Sequence, residues 1–129
     1  MIVVDASVVL DAILETERSA TIERRIFAKE ETIVAPHLLD VEIAQVLRRF
    51  QASRQLAERR AEEAIADYLA LPIERYPHLP LLGRVWDLRR NLTAYDAVYV
   101  ALAEFLDVRL LTADKRIARY APHVAELIQ

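Results

Sequence analysis

The chain has 129 residues, no cysteine, one glycine and five prolines, with 54% apolar and 29% charged residues; this is enough for one domain, residues 1–129, held by neither disulfides nor thiolate zinc. Seventeen basic against twenty acidic residues leave a net charge of −3, which excludes a protein that coats nucleic acid by bulk charge and leaves room only for a local basic groove. The longest uninterrupted apolar run, Ala97 to Ala103, has seven residues, and no basic stretch precedes an apolar run at the start, so neither membrane span nor signal peptide is expected and the setting reads as cytoplasmic.

In chain order, Ile2 to Val4 reads as a strand, followed by helices from Ala6 to Leu14 and from about Ser19 to Lys29. Ile33 to Ala35 is a second strand, stopped by Pro36. His37 to Ser53 and Gln55 to Ala70 carry apolar residues at helical spacing and form a helical hairpin. Pro72 to Arg75 reads as a short strand near an edge because of its proline. Helices follow at Leu79 to Arg90 and Thr93 to Leu106, then a strand at Arg109 to Thr112, a short helix at Lys115 to Tyr120 and a last strand at Val124 to Leu127. Connections of this length force mostly parallel pairing. The expected fold class is α/β, a helix-covered, mostly parallel sheet of four to five strands.

Such sheets bind ligands beyond the carboxyl ends of their strands, where strand order reverses. Asp5 follows the first strand, Asp114 follows the strand ending at Thr112, and Glu42 lies in the helix after the second strand. These three have reason to converge. Asp96 is less securely placed, since its helix feeds a strand at the far end. Each aspartate also fits a helix cap: Asp5 before Ala6, Asp96 in the box opened by Thr93, Asp114 before Lys115. Glu42 borders the apolar stripe of Leu39, Ile43 and Val46, with no Lys or Arg at helical reach. A carboxylate there needs a partner.

Two unit charges about 5 Å apart at an effective dielectric near 20 repel by roughly 3 kcal/mol, so four gathered acids cannot all stay ionised unaided. Either some take up protons or a divalent cation neutralises them. An oxygen-only donor set favours a hard ion, Mg²⁺ or Mn²⁺. Such a site suits phosphate-ester hydrolysis.

The chain resembles the PIN-domain ribonucleases, and among them the VapC-type toxins of prokaryotic type II toxin-antitoxin pairs. The resemblance rests on Ile2 to Leu10, on Pro36 with Leu39 to Leu47, on Thr93 to Ala103 and on Leu110 to Asp114. It implies a PIN-like three-layer α/β/α sandwich in which Asp5, Glu42, Asp96 and Asp114 hold one or two Mg²⁺ or Mn²⁺ ions, with Ser7 and Thr112 supporting the site through hydrogen bonds. By resemblance, Asp5 and Asp96 bind metal most directly, Glu42 orients the attacking water or acts as base, and Asp114 completes a second site. The implied reaction is in-line hydrolysis of RNA that leaves 5′-phosphate and 3′-hydroxyl ends. The segment Asp107-Val108-Arg109 departs from the glycine turn common in relatives.

Arg90, Lys115 and Arg116 are the candidate RNA contacts by proximity in sequence. Tyr95 and Tyr99, four apart on one helix, fit either base stacking or core packing. Asp11 and Asp40 stand in reserve should the quartet fail, while the three histidines form no metal-like cluster. The resemblance further implies a VapB-type antitoxin, seated in the groove formed by residues 19–29 and 37–70, and a homodimer. The alternatives are a phosphoacceptor signalling domain, which wants an acidic pair after the first strand, and a phosphatase of haloacid-dehalogenase type, which wants Asp-x-Asp there. Asp5-Ala6-Ser7 supplies neither. A catalytically silent PIN-like module that binds RNA or protein would have lost acids, and all four are present.

Overall fold

The computed structural model describes residues 1–129. Strands β1 (Ile2–Val4), β2 (Ile33–Pro36), β3 (Ile73–Tyr76), β4 (Leu110–Thr112) and β5 (Ala125–Leu127) form one sheet in the order β3-β2-β1-β4-β5, with every pairing parallel. β1, β2 and β4 are buried along their whole length, as expected of parallel strands covered on both faces. β3 is an edge strand. Pro36 does not stop β2 but ends inside it, in register with Tyr76. Its missing N–H costs little there, because the next donor, His37 N–H, bonds the Tyr76 carbonyl.

The helices are α1 (Ala6–Ile13), α2 (Ser19–Ile26), α3 (Leu38–Ala52), α4 (Glu58–Ala70), α5 (Leu82–Asp87), α6 (Ala94–Leu106) and α7 (Lys115–Tyr120). Several are shorter than the periodicity predicts, and the backbone shows why. Arg54 takes a left-handed φ of 61° after α3, and the N–H groups of Gln55 and Leu56 fold back onto the Phe50 carbonyl. That closure delays α4 to Glu58. The continuous helix expected at 79–90 is a 3-10 turn at Leu79–Leu81 followed by α5. Leu88 N–H is shared between the Arg84 and Val85 carbonyls, the tightening that ends a helix. Asp107 caps α6 with a φ of 53°, so aspartate serves where a left-handed turn would favour glycine.

Right-handed crossovers put α1 to α4 on one face of the sheet and α5 to α7 on the other. In agreement, α1 packs on α2, α3 and α4, while α6 lies along β1, β2 and β4. This is the three-layer α/β/α sandwich. The chain steps outward from β1 to β2 to β3, then returns to place β4 on the other side of β1. The reversal therefore falls between β1 and β4. α6 leads directly into β4, which starts at the opposite edge of this parallel sheet, so α6 begins at the carboxyl edge and brings Asp96 to the same end as Asp5.

Candidate active site

Asp5 leaves β1 and caps α1, its Oδ1 accepting from Val8 N–H at 3.1 Å and from the Ser7 hydroxyl at 2.5 Å. Its other oxygen accepts from the Thr112 hydroxyl at the end of β4. Both hydroxyls are used twice: Ser7 Oγ accepts from Ala113 N–H and Thr112 Oγ1 from Asp114 N–H, each at 3.0 Å. The turn after β1 is thus stitched to the turn after β4. Asp5 is only 4% exposed. Burial raises its pKa to about 6, the three hydrogen bonds pull against that rise, and the Asp114 charge adds to it.

Glu42 approaches from α3 on the opposite side of the sheet from α6. Its partner is the Tyr99 hydroxyl, which donates to Oε1. Burial still lifts Glu42 above the usual carboxylate range, and the charges of Asp96 and Asp5 push the same way. Tyr99 is 2% exposed, so it packs in the core and stacks no base. Its burial beside Glu42 raises its own pKa and keeps the phenol a donor. The partner that Glu42 needs is thus a neutral hydroxyl from another helix, not a Lys or Arg of α3. No periodic signal links the two, since Tyr99 reaches Glu42 from the other helical layer.

Asp96 and Asp114 meet through Arg116. The Thr93 side chain accepts from Asp96 N–H at 3.2 Å, which is half of a capping box. The Asp96 carboxylate bonds the Arg116 guanidinium instead of completing that box. The same Arg116 nitrogen lies 3.8 Å from Asp114 Oδ2, and Arg116 N–H donates to Asp114 Oδ1 at 2.8 Å, capping α7. Burial pushes Asp96 up, the Arg116 charge pulls it back, and Asp114 adds to the rise.

The four acids named from sequence thus come from four elements to one end of the sheet. The other candidates separate from them. Arg90 and Lys115 are exposed, whereas Arg116 is paired with Asp96 and Asp114. Tyr95 is 62% exposed on the first turn of α6. Of the reserve acids, Asp40 pairs with Arg75 at 2.9 Å and accepts from Tyr68, and Asp11 pairs with Arg18 at 3.3 Å. His123 bonds Glu104 at 2.7 Å on the far side of α6.

The donor set fits a hard divalent ion in chemistry: carboxylates only, three of them held above their ordinary pKa by burial and by one another. It differs from the expected oxygen-lined cage in one respect. No three acids are drawn around a single point closely enough to grip an ion; Asp5 is bonded by two hydroxyls, Glu42 by Tyr99, and Asp96 and Asp114 by Arg116.

The PIN domain family profile matches residues 2–122, in keeping with carboxylates gathered at the switch point of a parallel sheet. The chain belongs to the PIN-domain family, in its VapC branch. Ribonuclease VapC1 of Mycobacterium tuberculosis is 47% identical over 117 residues, covering 90% of this chain and 87% of that protein. A VapC ribonuclease of Mycobacterium bovis is 44% identical over 118 residues, covering 92% and 89%. Among solved structures, VapBC2 of Rickettsia felis, bound to a DNA fragment from its promoter, superposes with a TM-score of 0.72 at 15% identity over 100% of both chains. VapC20 of M. tuberculosis, a toxin that cleaves the sarcin-ricin loop, gives 0.64 at 16% identity over 92% of this chain and 94% of that one. These two share the fold.

Proposed function

We propose that this protein is a Mg²⁺- or Mn²⁺-dependent endoribonuclease, the toxin of a toxin-antitoxin pair acting in a prokaryotic cytoplasm. The observation that carries the reading is the convergence of Asp5, Glu42, Asp96 and Asp114 at the switch point, with three of their pKa values raised. Its relatives bear the name ribonuclease, which supports RNA as the substrate. Asp5, Asp96 and Asp114 would hold the ion, with Glu42 beside them. A divalent cation bound there supplies charge neutralisation at the phosphate and lowers the pKa of an attacking water.

The chain's own residues do the rest. Ser7, Thr112 and Val8 N–H fix the Asp5 carboxylate, so its orientation costs no reorganisation during the reaction. Glu42, raised above the usual carboxylate range by burial and oriented by Tyr99, is the group suited to take a proton from water at Oε2. Lys115 and Arg90, both exposed, supply phosphate contacts.

A VapB-type antitoxin is the proposed partner, supported by the VapBC assembly among the structural neighbours. The groove between α3 and α4, lined by Ala44, Leu47, Ala61 and Ile65 with Arg48 and Glu62 at its charged positions, offers a largely apolar seat for it. Homodimerisation is proposed too, and the exposed Leu82 and Trp86 of α5 are its support. No helix is long and apolar enough to cross a membrane. The experiment that tests the central reading is incubation of purified protein with total RNA and Mn²⁺ or Mg²⁺, with cleavage ends mapped. Cleavage should vanish in EDTA and in Asp96→Asn. Activity indifferent to both would overturn it.

A further inference from the structure

Arg116 is built to hold charge and to move. Its backbone is fixed, since its N–H caps α7 through Asp114 Oδ1 at 2.8 Å. Its side chain is 48% exposed and reaches back over the acids, bonding Asp96 and lying 3.8 Å from Asp114. Thr112 and Ser7 satisfy Asp5, and Tyr99 satisfies Glu42, all with neutral hydroxyls. Arg116 is thus the cation that hydrogen-bonds the acidic site.

We propose that Arg116 is a displaceable counter-ion that occupies the charge position of the divalent cation between Asp96 and Asp114 and must withdraw before that cation binds. The inference rests on the metal-dependent reading above. A guanidinium fork and a dication compete for the same carboxylate lone pairs and repel one another. Whatever Arg116 gives the cation-free protein is therefore subtracted from the affinity for the ion, as linkage requires. The fixed backbone and exposed stem let the head swing into water without unfolding α7. The neighbouring Lys115 lacks this geometry, being exposed with no bond to either acid.

The test is Mn²⁺ binding to RNA-free protein by isothermal titration calorimetry, comparing the native chain with Arg116→Ala and Arg116→Lys. Arg116→Ala should bind Mn²⁺ about tenfold more tightly, a gain of about 1.4 kcal/mol. Arg116→Lys should fall between, because it keeps the charge and loses the fork. Circular dichroism establishes that each variant is folded, and the lysine variant carries the comparison should the alanine variant lose structure. In the native chain, Mg²⁺ should shift the Arg116 Nε–H resonance, whereas that of Arg75 stays in place. Equal or weaker Mn²⁺ binding by folded Arg116→Ala overturns the counter-ion and leaves the nuclease reading standing. Mn²⁺ uptake by neither chain overturns both.

Discussion

The Thr112 hydroxyl donates to Asp5 Oδ2 at 2.5 Å across 107 residues of sequence, tying the end of β4 to the end of β1 at the point where strand order reverses. The same hydroxyl accepts from Asp114 N–H. One oxygen therefore sets the orientation of two acids. Thr112→Val keeps the shape and removes both bonds. It should destabilise the protein by about 1–3 kcal/mol at pH 7.5, the cost of a buried carboxylate losing a donor, as measured by urea denaturation. Asp5, relieved of one bond that lowers its pKa, should titrate above the value of about 6 that it has in the native chain.

The pH dependence of stability follows from Asp5. Its folded pKa of about 6 lies above the ordinary 3.8. Folding therefore favours the protonated acid, and its contribution is fully present below pH 3.8 and lost as pH rises through about 6. With Asp5 4% exposed, a shift of this size corresponds to about 3 kcal/mol lost by pH 7.5 in cation-free protein. Asp5→Asn should recover much of it in EDTA and melt higher than the native chain. Adding Mn²⁺ should reverse the order, because only the native chain gains a tightly bound ligand. A variant that melts lower in EDTA would show that the acid is stabilising without a cation.

The parallel pairing and the edge at which Asp5, Glu42 and Asp114 lie are legible because apolar runs and crossover lengths are regularities that sequence displays directly, whereas the strand order is visible only in the structure. Asp5 and Asp114 could be placed from strand ends alone. Asp96 is less direct, since its place follows only once α6 is seen to start at the carboxyl edge in order to feed β4 at the opposite edge. The nearness of Arg116 to Asp114 is plain in the sequence. Its bond to Asp96, 20 residues earlier, is set by the packing of α6 against the sheet and leaves no periodic trace. Tyr99 was hidden for a similar reason, as its hydroxyl crosses from one helical layer to the other to reach Glu42.

Tyr99→Phe removes the donor that holds Glu42. The pKa of Glu42, already raised by burial, should rise further, because the hydrogen bond from Tyr99 lowers it. If Glu42 accepts a proton during cleavage, it must be ionised to do so. The acidic limb of the rate profile should then move to higher pH in Tyr99→Phe, with the plateau at high pH much less affected. Initial rates on an RNA substrate between pH 5 and 9, about the range over which such a limb is read, provide the measurement.

Asp40 belongs to a separate cluster with Arg75 and Tyr68 that ties α3 to β3 and α4. Arg75 and Tyr68 together hold the Asp40 carboxyl below its ordinary range despite partial burial. Asp40→Asn should therefore cost about 1 kcal/mol of stability, in the range of partly exposed ion pairs. Mn²⁺ affinity and RNA cleavage should be unchanged. Loss of Mn²⁺ binding in a folded Asp40→Asn would move the metal site to this cluster.

Arg90 and Lys115 are the proposed phosphate contacts on a chain whose net charge is −3. Bulk charge repels the substrate, so affinity must come from a few local phosphate contacts, each of which releases counterions. Each contact to single-stranded RNA contributes a slope of about −0.7 to the dependence of log affinity on log salt. Arg90→Ala and Lys115→Ala should each make that slope shallower by roughly this amount and weaken binding evenly across RNA sequences. Binding can be followed by fluorescence anisotropy in Ca²⁺ or with Asp96→Asn, conditions that separate holding the strand from cutting it. A variant that changes sequence preference while leaving the salt slope intact would show a contact to a base instead of a phosphate.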